Sequence, residues 1–446
     1  MSQHASLLLF AFLTIVALVV LISRFKLHPF LGLMLAAIVI GLRSDMKLTT
    51  IARTFQEGVG NTLGFLGVVV GLGIILGKML AESGGAHVIA QHFMRWFGPK
   101  RMPWAMLFIA LVVGIPVLFA VGLMLLVPLV YALARETNTP VLLLGIPLVA
   151  GLSVSQGFLP PHPGPMLAIE QLGANVGKTI LYGFLIGIPT AMVAGPIFAT
   201  IVVPRLHVNL GHLSERKTSD IPSHDPPGFS LTLLTILLPV LLMFAASVVD
   251  LTLETENRWR EWANFIGSPI IAMLLAVLLS IYSFGYARGL SGRQILRFME
   301  DSVGPAAGIL LVVGAGGGLS KMLERGGAGA AIADIVEHAR VSPLILGWIV
   351  AASIRVAVGS ATVAITMASA LLAPVAANAP GINRELLVLA MGAGSLFCSH
   401  VNDGGFWFVK ESFNLTVQQT LKTWTVLETS IGLVALALVM LLAQFV

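Results

Sequence analysis

The chain has 446 residues, of which 57% are hydrophobic and only 11% are charged, and its formal net charge is +5. A soluble globular protein carries about 25% charged residues, so most of the outer surface of this chain must face lipid. The composition therefore disfavours a soluble enzyme, a disordered scaffold and a nucleic-acid-binding protein, and the single cysteine, Cys398, excludes an internal disulfide.

Apolar segments long enough to cross a bilayer recur along the chain. A helix that spans the hydrocarbon core needs about 20 mostly apolar residues. The first apolar run, 5–22, is longer than a typical signal-peptide core and no basic residue precedes it, so we predict a membrane helix there. In chain order the predicted spans are 5–22, 27–42, 60–80, 141–171, 177–203, 229–250, 266–287, 303–324, 385–412 and 420–446.

Two further apolar stretches, 104–134 and 343–376, are too long for a single span. The first is interrupted at Gly114-Ile115-Pro116 and the second at 358–362, where Gly359, Ser360 and Thr362 follow one another closely. Each stretch is predicted to form either one long kinked helix or a re-entrant hairpin.

The two halves of the chain resemble each other. Residues 69–80 and 312–323 share Val, Val, Gly, Gly, Leu, Lys, Met and Leu in register. Farther along, residues recur at a spacing of 241 (392 minus 151), which places His162 opposite Asp403. The matched pairs are Gly151 and Gly392, Gly164 and Gly405, Glu170 and Glu411, and Thr179 and Thr420. This pattern indicates an internal duplication.

The duplication predicts the fold class and the domain organisation. We expect an all-α integral membrane protein with a first repeat at 1–203, a cytoplasmic linker at 204–228 and a second repeat at 229–446. Each repeat is expected to hold about five transmembrane helices plus a re-entrant hairpin, with unwound helices at mid-membrane. An odd number of spans makes the two repeats inverted. The distribution of Lys and Arg among the loops predicts that both termini lie on the non-cytoplasmic side of the membrane.

The segment 158–165, Phe-Leu-Pro-Pro-His-Pro-Gly-Pro, interrupts an apolar stretch. Four prolines in six positions cannot continue a helix, so the chain is predicted to unwind here and to leave backbone groups that a substrate or water could satisfy. His162 lies at the break, where it could carry a proton or meet an anion. The simpler alternative is a structural histidine that satisfies loose backbone groups.

The matching segment in the second half is 399–406, Ser-His-Val-Asn-Asp-Gly-Gly-Phe. Asp403 is an ionisable group that is expected to lie at mid-membrane depth. Placing such a group there costs free energy, and such groups are usually functional. Asn402 and Ser399 add neutral hydrogen-bonding groups. The alternative is a helix cap, although a half-helix that begins inside the membrane also attracts anions.

The tip of the second interrupted stretch carries polar groups. Ser360 and Thr362 could bond a hydroxylated substrate, and Arg355 could pair with its carboxylate. The alternatives are helix packing through small residues and snorkelling of the arginine to the interface. The first tip, 114–120, has no ionisable group.

At these motifs the sequence resembles the gluconate permease family, the gluconate:proton symporters of the ion-transporter superfamily. The resemblance runs nearly end to end and is carried by the segments 158–165, 359–364, 399–407 and 420–425. It implies proton-coupled uptake of sugar acids across the bacterial inner membrane, by two inverted repeats that each hold a re-entrant hairpin and an unwound helix. One feature departs from the family: many relatives carry an acidic residue after a Phe-Phe pair at the first tip, where this chain has Phe119-Ala120.

The predicted function is import of gluconate or a closely related sugar acid by proton symport in a multi-pass protein of the bacterial inner membrane. The expected partners are the sugar acid, protons and membrane lipid, with no nucleic acid, cofactor or metal, and a homo-oligomer is compatible with the sequence. His162 and Asp403 are the predicted proton-coupling residues. The predicted substrate-binding residues are Pro161, His162, Gly164, Gly359, Ser360, Thr362, Asn402, Asp403 and Gly404.

Three alternatives stay open at this stage. The first is a permease of the same family for another small hydroxy acid or for D-serine. The second is a membrane-embedded enzyme that uses His162 and Asp403 as acid and base, although no nucleophile–base pattern or metal-ligand cluster favours it. The third is a channel, which saturable, gradient-driven accumulation would separate from a carrier.

Overall fold

The computed structural model describes residues 27–206, 226–326 and 342–446, except positions 45, 255, 304, 305, 379, 380 and 402, together with a few positions between 13 and 25. Within these ranges all regular secondary structure is helical. The predicted first span at 5–22 and the body of the linker at 204–228 lie largely outside the described residues.

The first half of the chain forms a series of helices joined by short connections. In chain order they are α1 (Pro29–Arg43), α2 (Leu48–Glu82), α3 (Gly85–Phe97), α4 (Met102–Gly114), α5 (Phe119–Glu136), α6 (Val141–Phe158), α7 (Pro163–Leu172) and α8 (Val176–Arg205). A π-helical turn interrupts α8 at Val193–Ile197.

The second half continues in the same way. Its helices are α9 (Phe229–Thr252), α10 (Arg258–Gly267), α11 (Pro269–Arg288), α12 (Gly292–Val303), α13 (Ala306–Arg325), α14 (Pro343–Val358), α15 (Ala361–Asn378), α16 (Arg384–Leu396), α17 (Gly404–Ser412) and α18 (Val417–Leu442). Further π-helical turns lie in α11 at Ile281–Gly285 and in α18 at Leu421–Thr425.

Six helical segments of the described chain have the length and apolar composition to cross a membrane: α2, the α6–α7 segment, α8, most of α9, α11 and α18. Outer helices expose apolar side chains, such as Leu185, Leu241 and Leu278, as expected where lipid replaces water as the solvent. The chain is therefore a multi-pass membrane protein. The predicted spans at 60–80, 141–171, 177–203, 229–250, 266–287 and 420–446 are confirmed as helices of this kind.

Three described helices, α3, α10 and α12, were not among the predicted spans. The short helix α10 exposes Trp259, Trp262 and Phe265, and Arg260 Nε in α10 lies 2.8 Å from Asp250 Oδ1 at the end of α9. Exposed tryptophans beside arginines are typical of the membrane–water interface. Helix α12 is amphipathic. None of the three helices contains an apolar run long enough to predict a span.

Both predicted interruptions of the long apolar stretches are confirmed. The first lies between Gly114, where α4 ends, and Phe119, where α5 begins. The second lies between α14 and α15, at Gly359, whose φ of 81° places it in the left-handed region. Glycine adopts this conformation at no steric cost, so the turn needs it. In the described residues α14 packs against α15 and α4 contacts α5, which favours two helical hairpins over two long kinked helices.

Both predicted unwound segments are also present. Helix α6 ends at Phe158 and α7 begins at Pro163, while α16 ends at Leu396 and α17 begins at Gly404. The proline motif does not lie wholly in the break, since Pro163 and Pro165 occupy the first turn of α7. A first-turn N–H has no intrahelical partner, so proline is tolerated there.

The packing of the hairpins brings the interruptions together. In each half, the first arm of the hairpin packs on the helix before the unwound segment: α4 on α6, and α14 on α16. The second arm packs on the helix after the unwound segment of the other half: α15 on α7, and α5 on α17. The two halves therefore exchange equivalent contacts, and the starts of α5, α7, α15 and α17 meet. The inverted orientation of the halves and the repeat boundaries stay predictions.

The closeness of α4 to α6 depends on Gly151. A Cβ atom added there would lie 2.7 Å from the Cβ of Ala110 and 2.9 Å from the backbone oxygen of Leu107. We expect Gly151→Ala to lower the free energy of unfolding by about 1–3 kcal/mol, because the backbone of α4 must move. Thermal unfolding of the purified protein in detergent measures this effect.

The control is Gly64→Ala in α2, where an added Cβ meets no atom within 4 Å. Alanine has the higher helix propensity, so this variant should be unchanged or more stable by up to about 1 kcal/mol. Equal stability of the two variants would contradict the close approach of α4 and α6.

Candidate functional site

A cavity of about 240 Å³ lies where the four helix starts meet. Four of its walls are the first turns of α5, α7, α15 and α17, and α6, α14, α16 and α18 complete it. The helices α6 and α16 are buried along almost their whole length and contact each other. The site is therefore held by two of the most buried helices in the described part of the chain.

The helix starts contribute partial positive charge to the cavity. The N-terminus of a helix carries a partial positive charge and backbone N–H groups without intrahelical partners. The residues before α5 and α7, Leu118 and His162, make no side-chain capping bond to their helices. At α5, the backbone N–H of Phe119 instead donates to Gln156 Oε1 at 2.9 Å. Four helix starts meet at the cavity, and two of them, those of α5 and α7, carry no capping side chain, an arrangement that suits an anion.

A buried ion pair joins the second hairpin to the second unwound segment. Arg355 Nη2, near the end of α14, lies 2.5 Å from Asp403 Oδ2, the residue before α17. The same oxygen accepts a hydrogen bond from the Ser399 hydroxyl, and Asp403 Oδ1 accepts one from the Gly405 N–H at 2.9 Å. Three donors on two oxygens are the arrangement that an ionised carboxylate needs when it is buried.

Ser399 is held in turn by the π-helical turn of α18. Trp424 Nε1 donates to Ser399 Oγ at 2.7 Å, and the Thr425 hydroxyl donates to the Ser399 backbone oxygen at 2.5 Å. A π turn widens the helix locally and is frequent at functional sites. Here it holds the Asp403 network against α18.

Arg355 has hydrogen-bonding capacity left over. Its Nε and Nη1 atoms are buried and have no hydrogen-bond partner among the described residues. A guanidinium offers five N–H donors, and buried donors without partners cost free energy. Because Arg355 lines the cavity, an anion bound there could accept from these N–H groups.

Glu428, midway along α18, is a site residue that the sequence reasoning missed. It is only 1% exposed, lines the cavity, and neither of its carboxylate oxygens has a hydrogen-bond partner of ordinary geometry among the described residues. The signal was present: an acidic residue in the middle of a 26-residue apolar span is functional by default. The polar residues Ser153, Gln156, Ser395 and Trp424 also line the cavity without having been predicted.

The structure brings five of the predicted binding residues to the cavity. These residues are Gly164, Ser360, Thr362, Asp403 and Gly404. Gly359 lies beside them as the turn residue that ends α14, and Asn402 lies outside the described residues. The binding role of each of these residues stays a prediction.

Pro161 and His162 lie apart from the cavity, beside a small void between the first tip and α2. His162 is 3% exposed, and its Nε2 is 2.6 Å from the backbone oxygen of Gly114. With its proton on Nε2, a neutral imidazole donates to that oxygen. This contact is the one expected of a histidine that satisfies a loose backbone group.

The contacts of His162 and Asp403 occupy matched positions in the two halves. His162 contacts Gly114 and Asp403 contacts Arg355, and each pair is separated by 48 residues. The contact in the first half is a neutral hydrogen bond, whereas the one in the second half is an ion pair. The halves thus share a geometry but differ in charge.

Removing both partners of the buried pair should cost less than the sum of the costs of removing each one alone. Arg355→Met or Asp403→Leu leaves an uncompensated buried charge, which we expect to cost about 3–5 kcal/mol, while the double variant should lose less than the sum. Thermal unfolding in detergent compares the three proteins. The control is Arg53→Met, which breaks a pair whose arginine side chain is 79% exposed and should cost less than about 1 kcal/mol. Additive losses would contradict the pairing.

Known proteins are similar to this chain in sequence and in fold. The sequence model of the GntP permease family matches residues 6–446. A gluconate permease of Pseudomonas aeruginosa is 48% identical over 99% of both chains, and a D-serine transporter of Escherichia coli is 36% identical over 95% of both. The crystal structure of the YdaH transporter of Alcanivorax borkumensis matches with a TM-score of 0.68 at 16% identity, covering 94% of this chain and 99% of that one. The chain therefore belongs to the GntP family of permeases, and it is a membrane transporter and not an enzyme.

Proposed function

We propose that this permease imports gluconate, or a closely related sugar acid, across the bacterial inner membrane by proton symport. The observation that carries the proposal is the cavity at which four helix N-termini and Arg355 meet. Helix N-termini and a guanidinium with free N–H groups are the chemistry that binds a carboxylate.

The rest of the lining suits a hydroxylated chain. Ser153, Gln156, Ser360, Thr362 and Ser395 surround the cavity with neutral donors and acceptors. A sugar acid combines one carboxylate with several hydroxyl groups, so each of its polar groups could find a partner. A buried polar site rejects analogues that leave its own groups unpaired. The volume of about 240 Å³ suits a single small metabolite.

A second candidate substrate is D-serine, which one relative transports according to its name. The observation that favours it is the presence of Asp403 and Glu428 in the lining, since an ammonium group needs a carboxylate partner. Gluconate remains the first candidate, because Asp403 already has three donors and the relative with 48% identity is named for gluconate.

The transport cycle follows from the packing. The hairpins and the helices that follow the unwound segments surround the substrate, and alternating access would move these parts against the other helices. Asp403 lies at the cavity, so its predicted coupling role is compatible with direct contact to substrate. His162 bonds to the Gly114 backbone outside the cavity, so it would act through the position of the first tip.

The proposal predicts that purified protein in proteoliposomes accumulates labelled gluconate when the outside is acidic. A protonophore should abolish accumulation, because the proton gradient is the driving force. Saturation with rising gluconate would distinguish a carrier from a channel. Uptake that only equilibrates would contradict proton symport. Absence of gluconate uptake by folded protein would contradict the substrate, and competition by D-serine, glycerate and other aldonates would identify the replacement.

The first tip is predicted to contact the substrate through Ala120, which lines the cavity. Ala120→Phe places an aromatic ring in that space and should lower uptake at least about tenfold, the effect of roughly 1.4 kcal/mol of lost binding. Initial uptake rates in proteoliposomes measure this loss. The neighbouring Val121 is 41% exposed, so Val121→Phe is the matched control and should transport normally. Normal uptake by Ala120→Phe would exclude the cavity as the binding site.

A further inference from the structure

Glu428 is the carboxylate of the described cavity lining that has no charged donor and no hydrogen bond of ordinary geometry, and the neutral Ser153 hydroxyl is the nearest donor to it. The residue is 1% exposed, and its two oxygens are buried without hydrogen-bond partners among the described residues. It lies at the middle of the membrane span formed by α18. An ionised carboxylate in such a place carries a high free-energy cost unless a cation accompanies it, whereas a protonated one is neutral.

The charged groups that act on Glu428 are Arg355 of α14 and Asp403 at the start of α17, and Ser153 of α6 also faces it. Helix α6 carries no titratable residue. The helices α8, α16 and α17, which also surround α18 or the cavity, carry titratable side chains only outside the cavity lining. These side chains are Lys178, Tyr182, Arg205, Arg384, Glu385, Lys410 and Glu411. Arg355 is thus the cation available to Glu428 in the described cavity.

Arg355 cannot donate the same N–H groups to Glu428 and to a substrate carboxylate at the same time. One of its nitrogens already bonds Asp403, and its remaining buried donors, Nε and Nη1, are free among the described residues. An ionised Glu428 and the carboxylate of a substrate would therefore compete for the same N–H groups. Protonation of Glu428 removes one competitor and leaves the guanidinium to the substrate.

We propose that Glu428 is the group that carries the coupled proton, an inference that rests on the proposed function. In the outward-open state, the Glu428 carboxylate takes a proton from external water, and the substrate carboxylate binds Arg355. In the inward-open state, the substrate leaves, the carboxyl group of Glu428 releases its proton to internal water, and the carboxylate turns to Arg355. One O–H bond forms outside and one breaks inside for each substrate imported.

This exchange keeps the charge of the cavity constant. In the loaded form, Arg355, Asp403, neutral Glu428 and a monoanionic substrate add to one negative charge. In the empty form, Arg355, Asp403 and ionised Glu428 also add to one negative charge. Both forms that cross the membrane thus carry the same charge. A form that holds the substrate beside an ionised Glu428 would carry two negative charges, so leakage of the substrate without its proton is disfavoured.

The test compares the parent protein with Glu428→Gln, a neutral mimic of the protonated acid, in two proteoliposome assays. The first assay is accumulation of labelled gluconate under an acid-outside gradient of one pH unit, which supports about tenfold accumulation with one proton per substrate. The second is exchange of internal for external gluconate without a gradient. We expect the variant to lose accumulation, to retain exchange, and to exchange at a rate that no longer depends on pH.

The matched control is Glu411→Gln, since that carboxylate is 74% exposed and pairs with Lys410 on α17. It should accumulate and exchange gluconate as the parent does. Accumulation of about tenfold by Glu428→Gln would overturn the assignment of the proton to Glu428 while leaving the proposed function intact. A parent protein that neither accumulates nor exchanges gluconate would overturn the proposed function and, with it, this inference.

If Glu428→Gln folds but transports no gluconate, a binding measurement tests the inference. The measurement is the increase in unfolding temperature that gluconate causes at acid and alkaline pH. In the parent this increase should fall at alkaline pH, because ionised Glu428 competes for Arg355. In Glu428→Gln it should be the same at both pH values, and a parent-like pH dependence would overturn the inference.

Discussion

The ion pair between Arg355 and Asp403 connects the elements that line the cavity of this permease. It joins the tip of the second hairpin to the start of α17, and Ser399 and Trp424 extend the network to α18. An ion pair away from water survives only when its remaining donors and acceptors find partners. Asp403 has three donors, whereas Arg355 keeps unused ones. The Asp403 carboxylate therefore has its hydrogen-bond partners, whereas Arg355 keeps N–H groups that a ligand could use.

The broken helices are tolerated because their free backbone groups also find polar surroundings. Backbone groups in the membrane interior must be satisfied by protein or by a polar cavity. The first arm of each hairpin packs within its own half, and the second arm contacts both its own half and the opposite one. All four interruptions therefore share one cavity, and each helps to shield the others from lipid. A single interrupted helix would have no such protection.

The sequence predicted the features that depend on local chemistry. The positions of proline and glycine predicted where the helices are interrupted, because these residues change the backbone conformation locally. Asp403, Ser360 and Thr362 were placed at the site because polar residues in an apolar stretch are conspicuous. The pairing of Arg355 with Asp403 and the separation of His162 from the cavity depend on how helices pack across the two halves. Glu428 was missed because its helix has no interruption to draw attention to it.

The matched contacts of His162 and Asp403 have a consequence for how such a protein can evolve. Within the described cavity, the charged side chains all come from the second half of the chain, while the first half contributes the uncharged tip at 118–120. Changes of bulk at that tip leave the charge balance of the cycle untouched. Under the proposed mechanism, two traits therefore depend on different halves of the chain and can be adjusted independently: the second half carries the charges that couple transport to protons, and the first tip limits the shape of the cargo.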